Sequence, residues 1–224
     1  MSERLNEKQR EAYDRIINRE NICIIGKGGT GKSYICDLIK RVDCLFVSPT
    51  GMAALNLGNY ARTIHSTLML GSKSMKAWSW QNVSHSIDAN KDKLKQFFDK
   101  YNCIVFDESS MIISGLFDTY INMFHLIYGT DAGVLFNDKQ VIMLLDPLQL
   151  TPVKNISEPY LNLNQYKKPT NLCKSDLIIE NPSFKLLFNS DNIIHFTQNM
   201  RCLDNAWDYV LHHCRTGFKL CGDI

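Results

Sequence analysis

Apolar and polar positions follow two different periods along this chain. In "NEKQREAYDRIINR" the apolar residues recur at helical spacing, which predicts a helix over residues 6–19. Elsewhere, short continuous apolar runs predict buried strands, and amphipathic segments between them predict helices. The predicted strands are 21–26, 43–48, 102–108 and 140–146, and the further predicted helices are 32–42, 49–57 with its leading turn, 91–101 and 115–129. Apolar strands that alternate with helices are typical of an α/β fold with a parallel sheet covered by helices on both faces.

Two segments do not follow this alternation. Residues 71–90 and 154–183 are rich in Asn, Ser and Lys, so we expect both to be surface insertions. Trp78 and Trp80 are interleaved with lysines in the first segment. They have two interpretations: stacking on the bases of a single strand, or anchoring the insertion to the domain.

Composition narrows the class of protein. The chain has 224 residues with 45% apolar content, which is enough for one sizeable core, and its formal net charge is +2. That charge neither excludes nor requires a nucleic-acid partner. The eight cysteines are scattered through apolar segments without a C-x-x-C pair, and no run approaches the roughly 18 apolar residues of a membrane span. We therefore expect an intracellular protein, cytoplasmic or nuclear, without a membrane partner.

The stretch "IIGKGGTGKSY", residues 24–34, carries the most specific motif. The pattern G-x-x-x-x-G-K-[ST] is matched by Gly26, Gly31, Lys32 and Ser33, between a predicted strand and a predicted helix. Backbone N–H groups of such a loop bind phosphate oxygens, the lysine reaches the β- and γ-phosphates, and the hydroxyl ligates Mg²⁺. The motif predicts binding of ATP with Mg²⁺ as cofactor. The predicted ATP-binding residues here are Gly26, Lys27, Gly28, Gly29, Thr30, Gly31, Lys32, Ser33 and Tyr34.

Acidic and amide side chains follow two other predicted strands. Asp107 and Glu108 end the strand "CIVF", which places both carboxylates at the edge where ligands of α/β proteins bind. We expect Asp107 to hold Mg²⁺ and Glu108 to orient or deprotonate the attacking water. Asp146 and Gln149 follow the strand "VIMLL", and an amide there can bind the γ-phosphate; an ordinary polar turn is the alternative.

In this order, the elements resemble the first motor domain of superfamily 1B DNA helicases, the branch that contains the PIF and RecD helicases. "LNEKQREAY" resembles the Q motif, "VSPTGMAALNL" with "RTIHS" resembles motif Ia and the segment after it, "VFDESSM" resembles motif II, and "LDPLQLTPV" resembles motif III. "FTQNMRCLDNAWDYVLHHCRTG" is similar to the motif IV region. The resemblance covers about residues 5–217 and implies a RecA-like P-loop NTPase fold.

The resemblance also implies roles for individual residues. Gln9 would read the adenine of ATP, Gln149 would sense the γ-phosphate, and Arg201 would join Lys32 in stabilising charge on the transferring phosphoryl group. The catalytic set is then Lys32, Glu108, Gln149 and Arg201, with Ser33 and Asp107 as metal ligands. The residues implied in contacts with single-stranded DNA are Pro49, Thr50, Gly51, Thr63, His65 and Ser66.

The function that the resemblance implies is ATP hydrolysis coupled to 5′ to 3′ movement on single-stranded DNA and duplex unwinding, in replication, repair or recombination. Residues 1–224 would form the first half of a two-domain motor, with the second motor domain absent. One alternative is a nucleotide-gated DNA-binding or scaffold module without turnover. Another is a small-molecule or nucleotide kinase, which the motif Ia segment and the "QL" strand end disfavour.

Overall fold

The computed structural model describes residues 5–40, 43–69, 80–131, 133–149, 176–201, 209–210 and 213. Its strands are β1 (Ile22–Gly26), β2 (Cys44–Ser48), β3 (Ala61–Thr63), β4 (Cys103–Phe106), β5 (Gln140–Leu145) and β6 (Ile193–Phe196). Its helices are α1 (Glu7–Ile17), α2 (Lys32–Leu38), α3 (Gly51–Leu57), α4 (Ile64–Thr67), α5 (Trp80–Ala89), α6 (Lys91–Phe98), α7 (Ser114–Tyr128) and α8 (Pro182–Leu187).

The six strands form one parallel sheet in the order β3-β2-β4-β5-β1-β6. Apolar side chains from α1, α2 and α3 pack on one face, including Ile16, Ile35 and Leu57. The opposite face is covered by α4 to α8 in a larger core that includes Phe98 and Phe117. The predicted α/β fold with helices on both faces is confirmed. Among the described residues, no helix has the length and apolar character needed to cross a membrane.

The strand order places three functional strand ends side by side. β5 lies between β4 and β1, with Ile142 aligned to both Val105 and Ile22. In a parallel sheet all carboxyl ends meet at one edge, and ligands bind there. The loops that follow β1, β4 and β5 therefore converge, although they come from distant parts of the sequence.

The predicted elements match the structure closely, with five omissions. The first helix is Glu7–Ile17 instead of 6–19, because a capping box of Asn6 and Gln9 fixes its start. The predicted strands all form, with ends shifted by two residues or fewer. The sequence pattern did not predict β3, β6, α4 or α8, which are six residues long or shorter and have weak periodicity. It also did not predict α5, which lies in a segment expected to be a surface insertion.

Parts of both segments that were expected to be surface insertions pack into the core. Within 71–90, α5 buries Val83 and Ile87, which are 2% and 0% exposed, in the larger core. Within 154–183, Ile178 and Asn181 are buried, and Asn181 Nδ2 donates to Oδ1 of Asp118 in α7 over 2.8 Å. The sequence did not predict these buried positions, because they are few and the segments around them are mostly polar. Residues 70–79 and 150–175 lie outside the described residues, so the insertion prediction remains a prediction there.

Candidate active site

The P-loop, residues 26–33, joins the end of β1 to the first turn of α2, and three of its four glycines, Gly26, Gly29 and Gly31, are sterically required. Gly29 and Gly31 have φ angles of +85° and +91°, in the left-handed region that favours glycine. A Cβ at Gly26 would lie 2.7 Å from Oγ1 of Thr30 and 2.8 Å from the carbonyl oxygen of Phe196. The loop therefore needs its glycines to pass close to β6 and to turn into α2.

Hydrogen bonds within the P-loop, from side chains to backbone carbonyls, stabilise its curved conformation. Thr30 Oγ1 donates to the carbonyl oxygen of Lys27 over 2.8 Å. Lys32 Nζ donates to the carbonyl oxygens of Gly26 and Lys27, the second over 3.1 Å. The lysine ammonium thus lies over the curve of the loop, where phosphate-binding lysines act.

The acidic pair follows β4 in a constrained turn. Asp107 continues the ladder, since its N–H donates to the Val47 carbonyl over 2.9 Å. Glu108 has φ 49° and ψ 37°, a left-handed conformation that is unusual for a residue with a side chain. The hydroxyl of Ser109 donates to the Phe106 carbonyl over 2.9 Å and closes the turn. Strained backbone of this kind persists where surrounding contacts enforce it, often at functional sites.

Burial raises the pKa of both carboxyl groups. For Asp107, desolvation is the largest cause, and the Glu108 backbone N–H and the charge of Lys32 oppose it. For Glu108, desolvation again comes first, the charge of Asp107 adds to it, and Lys32 opposes it. A raised pKa brings Glu108 closer to the range in which a carboxylate works as a general base near neutral pH.

A cavity of about 440 Å³ opens over this edge of the sheet. It brings together four parts of the sequence: the P-loop with the start of α2, the acidic pair, the turn after β5, and the segment after β6. The lining residues are Gly28, Gly29, Gly31, Lys32, Ser33, Tyr34, Asp107, Glu108, Gln149, Met200 and Arg201. All predicted catalytic and metal-binding residues therefore border one cavity.

Gln149 reaches the cavity from the turn that follows β5. Its N–H donates to the Asp146 carbonyl over 3.0 Å, and the Leu148 N–H donates to Oδ1 of Asp146 over 3.3 Å. These residues therefore form a hydrogen-bonded polar turn, which was the alternative interpretation of this segment. Gln149 also borders the cavity, which is what a γ-phosphate contact requires.

Arg201 is positioned by direct contact between its segment and the P-loop. The Met200 N–H donates to the Gly29 carbonyl over 2.8 Å, and the Arg201 N–H donates to Oδ1 of Asn199 over 3.0 Å. Met200 itself is 42% exposed and lines the cavity. Met200 was not predicted from the sequence, although it directly precedes Arg201, which was a predicted catalytic residue.

Gln9, Gly26, Lys27 and Thr30 are predicted ATP-binding residues that do not line this cavity. Thr30 is only 1% exposed and braces the loop internally, while Gly26 and Lys27 offer their carbonyls to Lys32. Gln9 is also 1% exposed, and its Nε2 donates to the Thr30 carbonyl over 3.1 Å. Adenine reading by Gln9 remains a prediction.

The predicted DNA-binding residues lie at the other end of the same edge, after β2 and β3. Thr50 Oγ1 caps α3 by accepting from the Ala53 N–H over 3.1 Å. Thr63 Oγ1 caps α4 by accepting from the Ser66 N–H over 3.2 Å. Pro49 and Gly51 flank the first cap, and His65 lies within α4. The structure therefore groups these residues along β2 and β3, away from the P-loop strand.

Comparison with known proteins agrees with this arrangement. The model of the PIF1-like helicase family matches residues 4–209. This chain belongs to the PIF1-like helicase family. The ATP-dependent DNA helicase PIF1 of Xenopus laevis is 27% identical to this PIF1-like chain over 162 residues, which are 69% of the chain and 24% of the frog protein.

Solved Pif1 structures share the fold of this PIF1-like chain. The Pif1 helicase of Candida albicans superposes with a TM-score of 0.73 at 19% identity, covering 97% of this chain and 45% of that one. The Bacteroides Pif1 helicase in complex with ADP-AlF3 and single-stranded DNA gives 0.68 at 22% identity, covering 96% and 47%. The RecA-like fold that the family resemblance implied is thereby confirmed. The chain spans less than half the length of these relatives.

Proposed function

We propose that this chain is the ATP-binding half of a DNA helicase motor that couples ATP hydrolysis to movement on single-stranded DNA. One observation carries the proposal: a single cavity is bordered by the P-loop, the acidic pair, Gln149 and Arg201. A module that only binds nucleotide needs no general base beside the phosphate loop. A motor needs both, because it must hold a triphosphate and activate the water that attacks it.

Each polar group at the cavity has a distinct role in this proposal. Lys32 and the P-loop N–H groups bind the β- and γ-phosphates. Glu108 orients and deprotonates the attacking water, aided by its raised pKa. Gln149 hydrogen-bonds the γ-phosphate and transmits its loss to the turn after β5. Arg201 stabilises charge on the transferring phosphoryl group, and the hydrogen bond from the Met200 N–H to the Gly29 carbonyl links its segment to the P-loop.

The residues at the cavity also fit Mg²⁺. The Asp107 carboxylate and the Ser33 hydroxyl border the same cavity, and both are hard oxygen donors of the kind that Mg²⁺ prefers. Asp107 and Ser33 would hold the ion, which would neutralise charge on the phosphates. The raised pKa of buried Asp107 fits this assignment, because a bound cation compensates for the desolvation of the carboxylate.

The DNA side of the proposal rests on the edge formed by β2 and β3. Pro49, Thr50 and Gly51 at one strand end, with the segment Thr63–Ser66 at the next, offer backbone groups and hydroxyls to a phosphate chain. The Bacteroides relative is a complex with single-stranded DNA, which supports this partner. We propose 5′ to 3′ movement in replication, repair or recombination.

A second motor domain would complete the motor, since this chain spans less than half of its solved relatives. We therefore expect these 224 residues alone to bind ATP, to hydrolyse it slowly and to show no strand separation. An intracellular location is also proposed. It is supported by the buried thiols of Cys23 and Cys36, which form no disulfide and suit a reducing compartment.

Two assays on the wild-type chain test the proposal. Calorimetry with ATP and Mg²⁺ measures binding, and single-turnover hydrolysis with and without single-stranded DNA measures chemistry. Binding with slow, DNA-stimulated hydrolysis supports the motor half. Binding of both ligands with no hydrolysis would favour a nucleotide-gated DNA-binding module instead. Failure to bind ATP would overturn the P-loop assignment.

A further inference from the structure

α4 is a single helical turn that carries two of the predicted DNA-binding residues, His65 and Ser66. A turn of four residues has almost no stability of its own, because helix nucleation is unfavourable. Its position must therefore come from contacts with the rest of the domain. Apolar contacts supply one part, since Ile64 in the turn and Leu68 directly after it are fully buried in the larger core.

A polar contact to α4 comes from the helix α7. Tyr120 Oη donates to Oγ1 of Thr67 over 3.0 Å, and Thr67 Oγ1 donates in turn to the Ile64 carbonyl over 2.7 Å. Both side chains are buried, so water does not compete for this pair. Burial raises the pKa of the Tyr120 hydroxyl, which therefore stays protonated and acts as a donor.

We infer that Tyr120 is a positioning residue for the binding of single-stranded DNA, and that it acts by fixing α4 through the Thr67 hydroxyl. The inference rests on the proposed DNA-binding function and deepens it by naming a residue outside the binding surface. Tyr120 is fully buried, so its effect on DNA must pass through α4.

The ring of Tyr120 is itself held in place by other aromatic side chains. Its centroid lies 5.5 Å from that of Phe106 and 5.9 Å from that of Phe98, and both neighbours are fully buried. Phe106 is the last residue of β4 and directly precedes Asp107. Close packing on these rings fixes the position of the hydroxyl relative to the central strands, and the hydroxyl in turn fixes α4 relative to the same strands.

An ordered contact segment binds more tightly, because less conformational freedom is lost when the ligand arrives. Without the Tyr120 hydroxyl, Thr67 keeps its local hydrogen bond to Ile64, which lies in the same turn. That bond does not connect the turn to the rest of the domain. We therefore expect α4 to move more freely, and the groups of His65 and Ser66 to be less well placed for DNA.

The test compares the wild-type chain with Tyr120→Phe, which removes the hydroxyl and keeps the ring in the aromatic core. Fluorescence anisotropy should show about three- to tenfold weaker binding of a single-stranded oligonucleotide, the loss expected for one hydrogen bond. Calorimetric affinity for ATP with Mg²⁺ should not change. In hydrolysis assays, the oligonucleotide concentration for half-maximal stimulation should rise by the same factor, while the rate at saturating oligonucleotide stays constant. Amide hydrogen exchange of residues 64–69 should become faster.

Variants of Thr67 test the same hydrogen bond from its other end. Thr67→Val removes the hydroxyl at similar shape and should also weaken oligonucleotide binding, whereas Thr67→Ser keeps the hydroxyl and should bind like wild type. The double variant of Tyr120→Phe and Thr67→Val should bind no more weakly than Thr67→Val alone, because both changes remove one shared interaction. Additive losses would overturn the inference.

Tyr128→Phe is the matched control, because Tyr128 lies at the end of the same helix and its hydroxyl donates to Oδ1 of Asp99 over 2.7 Å. It should leave oligonucleotide affinity unchanged. Wild-type affinity in Tyr120→Phe, or an equal loss in Tyr128→Phe, would overturn the inference. Parallel losses of ATP and oligonucleotide affinity in Tyr120→Phe would overturn it in favour of a general effect on the fold. If the wild-type chain binds no oligonucleotide, the DNA side of the proposed function fails and the inference fails with it.

Discussion

The two ends of the carboxyl edge of the sheet are built in different ways. Around the P-loop, the decisive contacts join residues far apart in the chain: Gln9 holds Thr30, and Met200 holds Gly29. Along β2 and β3, the described contacts of Thr50 and Thr63 are local caps to residues three positions later. The region around the P-loop therefore depends on tertiary contacts, and it contains strained backbone and buried charge. The region after β2 and β3 consists of helix N-termini that form together with their own helices.

This contrast suggests that substitutions around the P-loop change catalysis and ATP binding strongly, while those along β2 and β3 have small, local effects.

The largest expected effect is on Glu108. Glu108→Gln keeps the size and hydrogen bonding of the side chain but removes the base, so hydrolysis should fall by roughly 10²- to 10⁴-fold while ATP still binds. Single-turnover hydrolysis of labelled ATP measures the rate, and calorimetry checks binding. Hydrolysis near the wild-type rate would assign water activation elsewhere, with Asp146 the next candidate.

The next largest effect concerns Lys32. Lys32→Ala removes a charged donor that lies over the P-loop, so ATP affinity should fall by roughly 10- to 150-fold, the equivalent of about 1.5–3 kcal/mol for a charged hydrogen bond. The fold should survive, because the ammonium group borders the cavity and is not part of the core. Calorimetry with Mg²⁺ measures the affinity, and Thr63→Ala on the opposite side is the control that should bind ATP normally. Equal binding by Lys32→Ala and wild type would contradict the phosphate role.

A moderate effect on stability should follow from the buried acidic pair. Asp107 and Glu108 have raised pKa values in the folded chain, so the folded state holds more protons than the unfolded state. Without metal, the contribution of these two groups to stability should be fully present below their ordinary pKa values of 3.8 and 4.5. It should be lost as pH rises through their higher pKa values in the folded state. Other groups that titrate in the same range add their own slopes, so the comparison with a variant is the sharper readout.

Asp107→Asn removes one of these charges and relieves the repulsion on Glu108. At neutral pH in the presence of a chelator it should raise Tm, by roughly 2–4 °C for each kcal/mol relieved, and it should flatten the pH dependence. Thermal unfolding between pH 4 and 7.5, about the range in which carboxyl pKa shifts act, measures both. An unchanged or lower Tm with an equally steep pH profile would show that the pair does not destabilise the fold.

The smallest effect is expected at the β2 and β3 side. Thr63→Ala deletes the cap of α4 and should cost about 0.5–2 kcal/mol of local stability, whereas Thr63→Ser should retain it. Affinity for a single-stranded oligonucleotide should be modestly lower in Thr63→Ala than in wild type. Binding should be salt-sensitive in both proteins. Fluorescence anisotropy measures binding, and amide hydrogen exchange of α4 measures the cap. A large loss of ATP affinity in Thr63→Ala would contradict the view that the two ends of the sheet edge act independently.

Much of this architecture was readable from local patterns. The long amphipathic helices, the apolar strands and the G-x-x-x-x-G-K-[ST] loop each depend on residues close together in the sequence, so periodicity and motif spacing identified them. Short elements escaped notice because their stability comes from neighbours. β6 has only four residues and pairs with β1. α5 is longer, but Val83 and Ile87 are core positions only because α5 packs against α7.

The sequence by itself determined which groups are present: a phosphate loop, two adjacent carboxylates after an apolar strand, and an amide after another. Only the tertiary structure decided how they combine. The order β4-β5-β1 brings three separate strand ends to one cavity, β6 delivers Met200 and Arg201 to its rim, and α1 carries Gln9 to the back of the P-loop. These placements arise from packing between elements distant in the chain, and local propensity carries no information about such contacts.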